Sequence, residues 1–162
     1  MGGDEGLVVR KIRHGTVIDH IPAGRALRVL RLLGATLGGG RRIAIVINAE
    51  SRKLGRKDIV KIEGLEPRVE DLDRIALVAP TATVNIVRDY RVVVKRKVEP
   101  PAEVRGILRC ANPTCITRKP GEPVTPRFRL VSRDPLEYQC VYCGSILGER
   151  EIVEQLGGPA PL

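Results

Sequence analysis

The chain is poor in aromatic residues: one Phe, three Tyr and no Trp among 162. Phe128, Tyr90, Tyr138 and Tyr142 are scattered, and none belongs to the paired stacking platform that holds single-stranded nucleic acid. Histidine is scarce as well, with His14 and His20 alone. If the cysteines are engaged elsewhere, neither can join a nucleophile-and-base pair, so no catalytic role is expected. Long apolar runs are missing: "LVAP" and "VVV" fall far short of the ~20 residues that span a bilayer. The acidic start "MGGDEG" has no apolar segment behind it. These absences predict a cytoplasmic protein without a membrane partner. Neither GxxxxGK[ST] nor GxGxxG occurs, so any nucleotide would be held by side chains on a sheet, with no phosphate-cradling loop.

What is present is charge and aliphatic bulk. The net charge is +9 with a pI near 9.9, and 43% of residues are hydrophobic, enough for a real core. Nucleic acid, a phosphorylated ligand or an acidic protein surface would all suit that charge. Few Asn and Gln, one Met and many Arg and Glu resemble a thermophile's composition.

From Leu7 to about Lys97, short β-like runs alternate with two amphipathic helical segments. The runs are "LVVRKI", "GTVIDHI", "RRIAIVIN", "DIVKIE", "ATVNIV" and "YRVVVKRK", all rich in Val and Ile. The spacing predicts one helix over Ala23 to Leu33, with Ala23, Ala26, Leu27, Leu30 and Leu33 on one face and Arg25, Arg28 and Arg31 facing elsewhere. A second is predicted from about Val69 to Ala79, stopped by Pro80. This order predicts an α+β sandwich of ferredoxin-like type over residues 1–100. Pro100 and Pro101 mark a boundary. Residues 101–162 form a small β-rich second domain, too small to bury much core without a staple.

Cys110 and Cys115 enclose four residues, Cys140 and Cys143 enclose two, and 24 separate the pairs. Tetrahedral Zn²⁺ takes two ligands from each of two tight turns, and these spacings predict one structural zinc per chain with no open coordination position. Two disulfides and a rubredoxin-like iron site are the alternatives; a reducing compartment argues for zinc over disulfides.

Polar residues interrupt several apolar strands. Lys61 stands alone in "DIVKIEG", Lys95 follows "VVV", Asn85 sits in "TVNIV", and Asp19 and His20 end "GTVIDHI". A lysine on an edge strand often only blocks aggregation. Together, however, carboxylate, imidazole, amide and two ammonium groups are what a nucleoside triphosphate requires.

The segments "RHGTVIDHIPAG", "GRKDIVKIEG" and "APTATVNIVRDYRVVVK", followed by Cys-x4-Cys and Cys-x2-Cys, resemble the regulatory chains of aspartate carbamoyltransferase from about Leu7 to Cys143. The resemblance implies a non-catalytic subunit with an N-terminal allosteric domain and a C-terminal zinc-ribbon or rubredoxin-like domain. The first would pair with a second copy and bind CTP, ATP or UTP; the second would dock on the catalytic chain, in feedback control of pyrimidine biosynthesis. It implies that Asp19 accepts from ribose hydroxyls, Lys61 contacts ribose and base, and Lys95 and His20 face the triphosphate with Asn85 beside it. Ile12, Val17 and Tyr90 would frame the base, and Asn112 would face the catalytic chain. Arg10, Lys11 and Thr114 depart from the family pattern. The rival reading is a zinc-ribbon nucleic-acid-binding protein, supported by the charge and by "KRK" at Lys95 to Lys97 and weakened by the missing aromatics.

Overall fold

A computed structural model describes residues 11–34 and 39–157. Of the expected strand "LVVRKI" only Lys11 and Ile12 fall among them, without regular structure; Arg10 lies outside. The first part of the chain runs β1 (Gly15–Pro22), α1 (Ala26–Leu32), β2 (Ile43–Ser51), β3 (Gly55–Glu63), α2 (Val69–Val78), β4 (Thr83–Arg88) and β5 (Arg91–Lys97). The strands pair antiparallel in the order β2-β3-β1-β4-β5. Without β5 this is the βαββαβ order of a ferredoxin-like sandwich. Ile18, Ile21, Val60, Ile62 and Val84 are buried with Val29 and Leu30 of α1 and Ile75 to Val78 of α2. Among the described residues the opposite sheet face carries no helix.

Bulges decide which side chains reach each face. Strict alternation would send Ile18 and Ile21 to opposite faces, yet both are fully buried. The register of β1 on β3 shifts between them, and the residues that absorb the shift are Asp19 and His20, the latter at φ +56°. In the β4–β5 pair, Ile86 faces Val94 and Val87 faces Val92, so Val93 is the extra residue.

α1 begins at Ala26, later than its periodicity suggests, because residues 22–25 are committed to a turn. Arg25 N–H donates to Pro22 O, and the helix start is capped from another strand. Buried Asp58 of β3 accepts from the backbone N–H of Gly24 (2.8 Å) and Ala26 (3.1 Å) through Oδ2, and from Asn48 N–H (2.9 Å) through Oδ1. One carboxylate thus serves a helix terminus and the bulge of β2.

The second part forms an antiparallel sheet of β6 (Glu103–Arg105), β7 (Arg127–Arg133), β8 (Leu136–Cys140) and β9 (Ile146–Gly148), followed by α3 (Glu149–Gln155). Three-residue β6 and β9 carry too little pattern to be foreseen. Phe128, Leu136, Tyr138, Leu147 and Ile152 form the interior, and one apolar cluster runs from them into the first domain. The small domain therefore shares a core as well as having four cysteines to staple it.

The seam between the domains explains the arginines of α1. They do lie off its apolar face, but all three make contacts at the seam: Arg28 is buried there, Arg25 is half-buried and Arg31 stays exposed. Arg25 Nη1 donates to Val78 O and to Glu149 Oε1, both at 2.9 Å. Arg28, only 7% exposed, donates from Nη1 to Val153 O (2.7 Å) and Leu156 O (3.0 Å), and Arg31 reaches Gly157 O at 3.3 Å. Arg28 and Arg31, three residues apart, thus donate to carbonyls at the end of α3, one of which, Val153 O, also accepts the weak N–H bond of Leu156 at 3.3 Å. Gly157, at φ +76°, lets the chain turn away: a Cβ there would stand 2.6 Å from Arg28 Cβ and 2.9 Å from Arg28 O.

Candidate functional site

The open face of the first sheet bears a cleft of about 340 Å³. Strand register builds it. Val17 of β1 faces Lys61 on one side and Asn85 on the other, and Asn85 faces Lys95, so one side chain from each of four strands stands in a row. At about 4.8 Å per strand, Lys61 and Lys95 are separated by about 14 Å of backbone. Asp19 and His20 line one end with Thr83 of β4; Ile12, Val87, Tyr90 and Val92 line the other. All eight residues singled out on the open face, Ile12, Val17, Asp19, His20, Lys61, Asn85, Tyr90 and Lys95, therefore border the same cleft. Lys11, Thr83, Val87 and Val92 border it too.

The two ends differ in chemistry. At the polar end the Asp19 carboxylate is held 2.9 Å from Lys57 Nζ and accepts from the N–H of His20 at 2.6 Å. Lys57 sits four residues before Lys61 on the same strand; the even spacing in "KDIVK" was the signal that could have found it. His20 Nδ1 is buried and has no hydrogen-bond partner. No carboxylate among the described residues forms an ion pair with Lys11, Lys61 or Lys95, so three ammonium groups border the cleft unneutralised.

At the apolar end Tyr90 is set by a two-residue turn between β4 and β5. Asp89 and Tyr90 both have left-handed backbones, φ +51° and +65°, as a type I′ turn demands. That is a costly conformation for tyrosine. The turn is pinned by Tyr90 N–H donating to Arg13 O (3.0 Å) and Asp89 N–H donating to His14 Nδ1 (3.2 Å).

The cysteines converge at the far end of the chain. Cys140 ends β8, and Gly144, at φ +79°, closes the second knuckle with its N–H on Cys140 O at 3.0 Å. In the first knuckle Cys115 N–H donates to Asn112 O at 3.1 Å. The four Sγ atoms lie within 4.8 Å of one another, Cys110 to Cys143 at 3.5 Å and Cys115 to Cys140 at 3.8 Å. A tetrahedral ion with bonds of about 2.3 Å needs sulfurs about 3.8 Å apart, so the donor set fits a metal. All four cysteines are free, at separations well beyond the ~2.0 Å of a disulfide.

As thiols these groups are in conflict. Burial pushes Cys110 up to about 12 and raises Cys140, while the Ser145 hydroxyl 3.2 Å from exposed Cys143 pulls that thiol down to about 6. Coordination by a cation would stabilise all four as thiolates. Asn112 is half-buried, and its Oδ1 accepts from Thr114 N–H (3.0 Å) and Thr114 Oγ1 (2.8 Å), making Thr114 part of the knuckle's turn.

Among the described residues no helix is long and apolar enough to cross a membrane. Residues 7–99 match the family described as "Aspartate carbamoyltransferase regulatory chain, allosteric domain", and residues 102–153 match "Aspartate carbamoyltransferase regulatory chain, metal binding domain". The chain is 64% identical over 156 residues to the aspartate carbamoyltransferase regulatory chain of Hyperthermus butylicus, covering 96% of this chain and 98% of that one. It is 61% identical over 158 residues to that of Thermofilum pendens, with the same coverage, and 58% identical over 154 residues to that of Korarchaeum cryptofilum, covering 95% and 98%. With the two matched segments falling on the cleft-bearing sheet and the cysteine-bearing sheet in that order, the chain belongs to the regulatory chains of aspartate carbamoyltransferase, a non-catalytic subunit whose partner is the catalytic chain.

Proposed function

We propose that the open-face cleft is an effector site for CTP, ATP and UTP, through which this subunit applies feedback control of pyrimidine biosynthesis to the catalytic chains. The observation that carries this is three unneutralised lysines bordering a cleft with one apolar end. A polyanion with a flat apolar head suits both features, and a nucleoside triphosphate is that molecule. Ile12, Val17 and Tyr90 frame the base, Asp19 takes the ribose hydroxyls, Lys61 contacts ribose and base, and Lys95 and His20 with Asn85 meet the phosphates. The partnerless Nδ1 of His20 has a donor or acceptor to offer there.

In the same reading, residues 1–100 form the allosteric domain, which pairs with a second copy, and residues 101–162 form the zinc domain. Cys110, Cys115, Cys140 and Cys143 hold one Zn²⁺, a closed four-thiolate site that supplies folding free energy on the order of 10 kcal/mol and has no position at which to activate water. Asn112, in the knuckle beside it, faces the catalytic chain.

Nucleotide-dependent melting tests the cleft. At a hundredfold excess over Kd, binding to the native state alone stabilises by about 2.7 kcal/mol. CTP or ATP is expected to raise Tm; no rise with either, together with a rise on adding duplex DNA or RNA, would favour the nucleic-acid reading instead. Lys95→Ala is expected to weaken triphosphates far more than nucleosides, and equal losses would refute the phosphate assignment.

A further inference from the structure

We propose that Arg28 is the positioning residue through which the cleft acts on the metal domain, by clamping the C-terminal end of α3. The inference rests on the cleft being the effector site. It starts at β3, which carries Lys61 of the cleft and Lys57 beside it on the same open face and, between them, Asp58 on the opposite face. Lys57 grips Asp19 at 2.9 Å, and Asp58 grips the start of α1 through the N–H groups of Gly24 and Ala26. A ligand that draws Lys57 or Asp19 toward itself therefore pulls on the strand that anchors α1.

Arg28 follows Ala26 by two residues and reaches across the seam to Val153 O and Leu156 O. One residue from Leu156, the side chain of Gln155 makes two hydrogen bonds with the backbone of Arg109. Its Oε1 accepts from Arg109 N–H at 2.6 Å, and its Nε2 donates to Arg109 O at 2.8 Å. The next residue is the metal ligand Cys110. Cleft and metal centre are thus joined through β3, α1, α3 and the first knuckle by short directional contacts. The covalent connection takes a different path, through Pro100 and Pro101.

Buried apolar residues at this seam would hold α3 as strongly but would tolerate sliding and rotation. A guanidinium shared between two helix-terminal carbonyls fixes α3 in one orientation and is either engaged or not. That makes it an element whose equilibrium a ligand at one end can bias and a partner at the other can read.

The experiment uses the complex of full-length chain and catalytic chain, carrying Arg28→Met. Four quantities are measured: CTP and ATP affinity, metal content, the change in carbamoyl transfer on adding nucleotide, and the effect of nucleotide on metal release by a thiol reagent. Nucleotide affinity and metal content are expected to stay within about twofold, while the nucleotide-dependent change in both transfer and metal release falls about fivefold or more, in line with typical coupling energies. Arg28→Lys should restore part of it. If Arg28→Met does not assemble, Gln155→Leu cuts the same route at its far end and is expected to give the same loss. Unchanged transmission in either variant would overturn the inference. Failure of the unsubstituted complex to bind CTP or ATP would instead overturn the cleft reading, and is seen separately in the affinity measurement.

Discussion

The carboxylate of Asp58 accepts the backbone N–H of buried Ala26 at 3.1 Å across 32 residues of sequence, and it also serves the N–H groups of Gly24 and Asn48, two exposed residues. Asp58→Ala would leave the buried Ala26 donor unsatisfied and hand the other two to water. The expected cost is about 2 kcal/mol, most of it from the one orphaned buried donor and the rest from exchanging two charge-assisted bonds for water. Asp58→Asn keeps one acceptor oxygen and should cost less. Urea unfolding of the two variants checks both the size and the order.

Gly157→Ala tests the seam. The left-handed backbone costs an ordinary residue about 1 kcal/mol, and the methyl must also displace Arg28. A total near 2 kcal/mol corresponds to a fall in Tm of about 4–8 °C for a chain of this size. Metal content should be unaffected. Thermal scanning with metal analysis on the same sample is the measurement.

Metal affinity should weaken as pH falls. Burial holds Cys110 as a thiol until about 12 and raises Cys140, so binding near neutrality must expel their protons; Cys143, pulled down to about 6, is already largely ionised and expels few. Proton competition therefore favours the metal-free chain at low pH and the metal-bound chain at high pH. Competition with a chromophoric chelator between pH 6 and 8 should show this slope, and its absence would mean that the thiols do not ligate.

Tyr138→Phe should cost about 1 kcal/mol, the net worth of one hydrogen bond, without changing metal content. Its buried hydroxyl donates to Pro101 O at 2.7 Å, tying the second domain's core to the connection between domains. Burial keeps the phenol protonated well above its ordinary range, so the loss should be independent of pH across neutrality. Denaturant titrations at pH 6 and pH 9 compare the two.

Much of the molecule was legible in its sequence, for identifiable reasons. Strands β1 to β5 showed themselves through Val and Ile runs, α1 and α2 through spacing, and the cysteine knuckles through ligand intervals that metal chemistry restricts. The cleft residues could be picked out because polar side chains in apolar strands are anomalies. Asp58 escaped notice for the converse reason: at the head of "DIVKIE" an aspartate looks like a solvated strand end, and only tertiary structure shows it buried against a helix terminus. The arginines of α1 likewise looked like a wet face, since nothing in a helix's own periodicity records what docks on its polar side. Lys57 was hidden because its partner, Asp19, sits in a bulge whose position depends on the facing strand.

Val93 contributes little as a side chain: it is half exposed and pairs with no residue of β4. As a unit of length it is indispensable. It is the one residue by which β5 outruns β4, and it allows Val92 and Lys95, three apart, to point into the same cleft. Exchange of Val93 for Thr or Ala should pass almost unnoticed, whereas its deletion would restore strict alternation and turn either Val92 or Lys95 away from the cleft. In this strand the spacing between residues matters more than the identity of the residue that sets it.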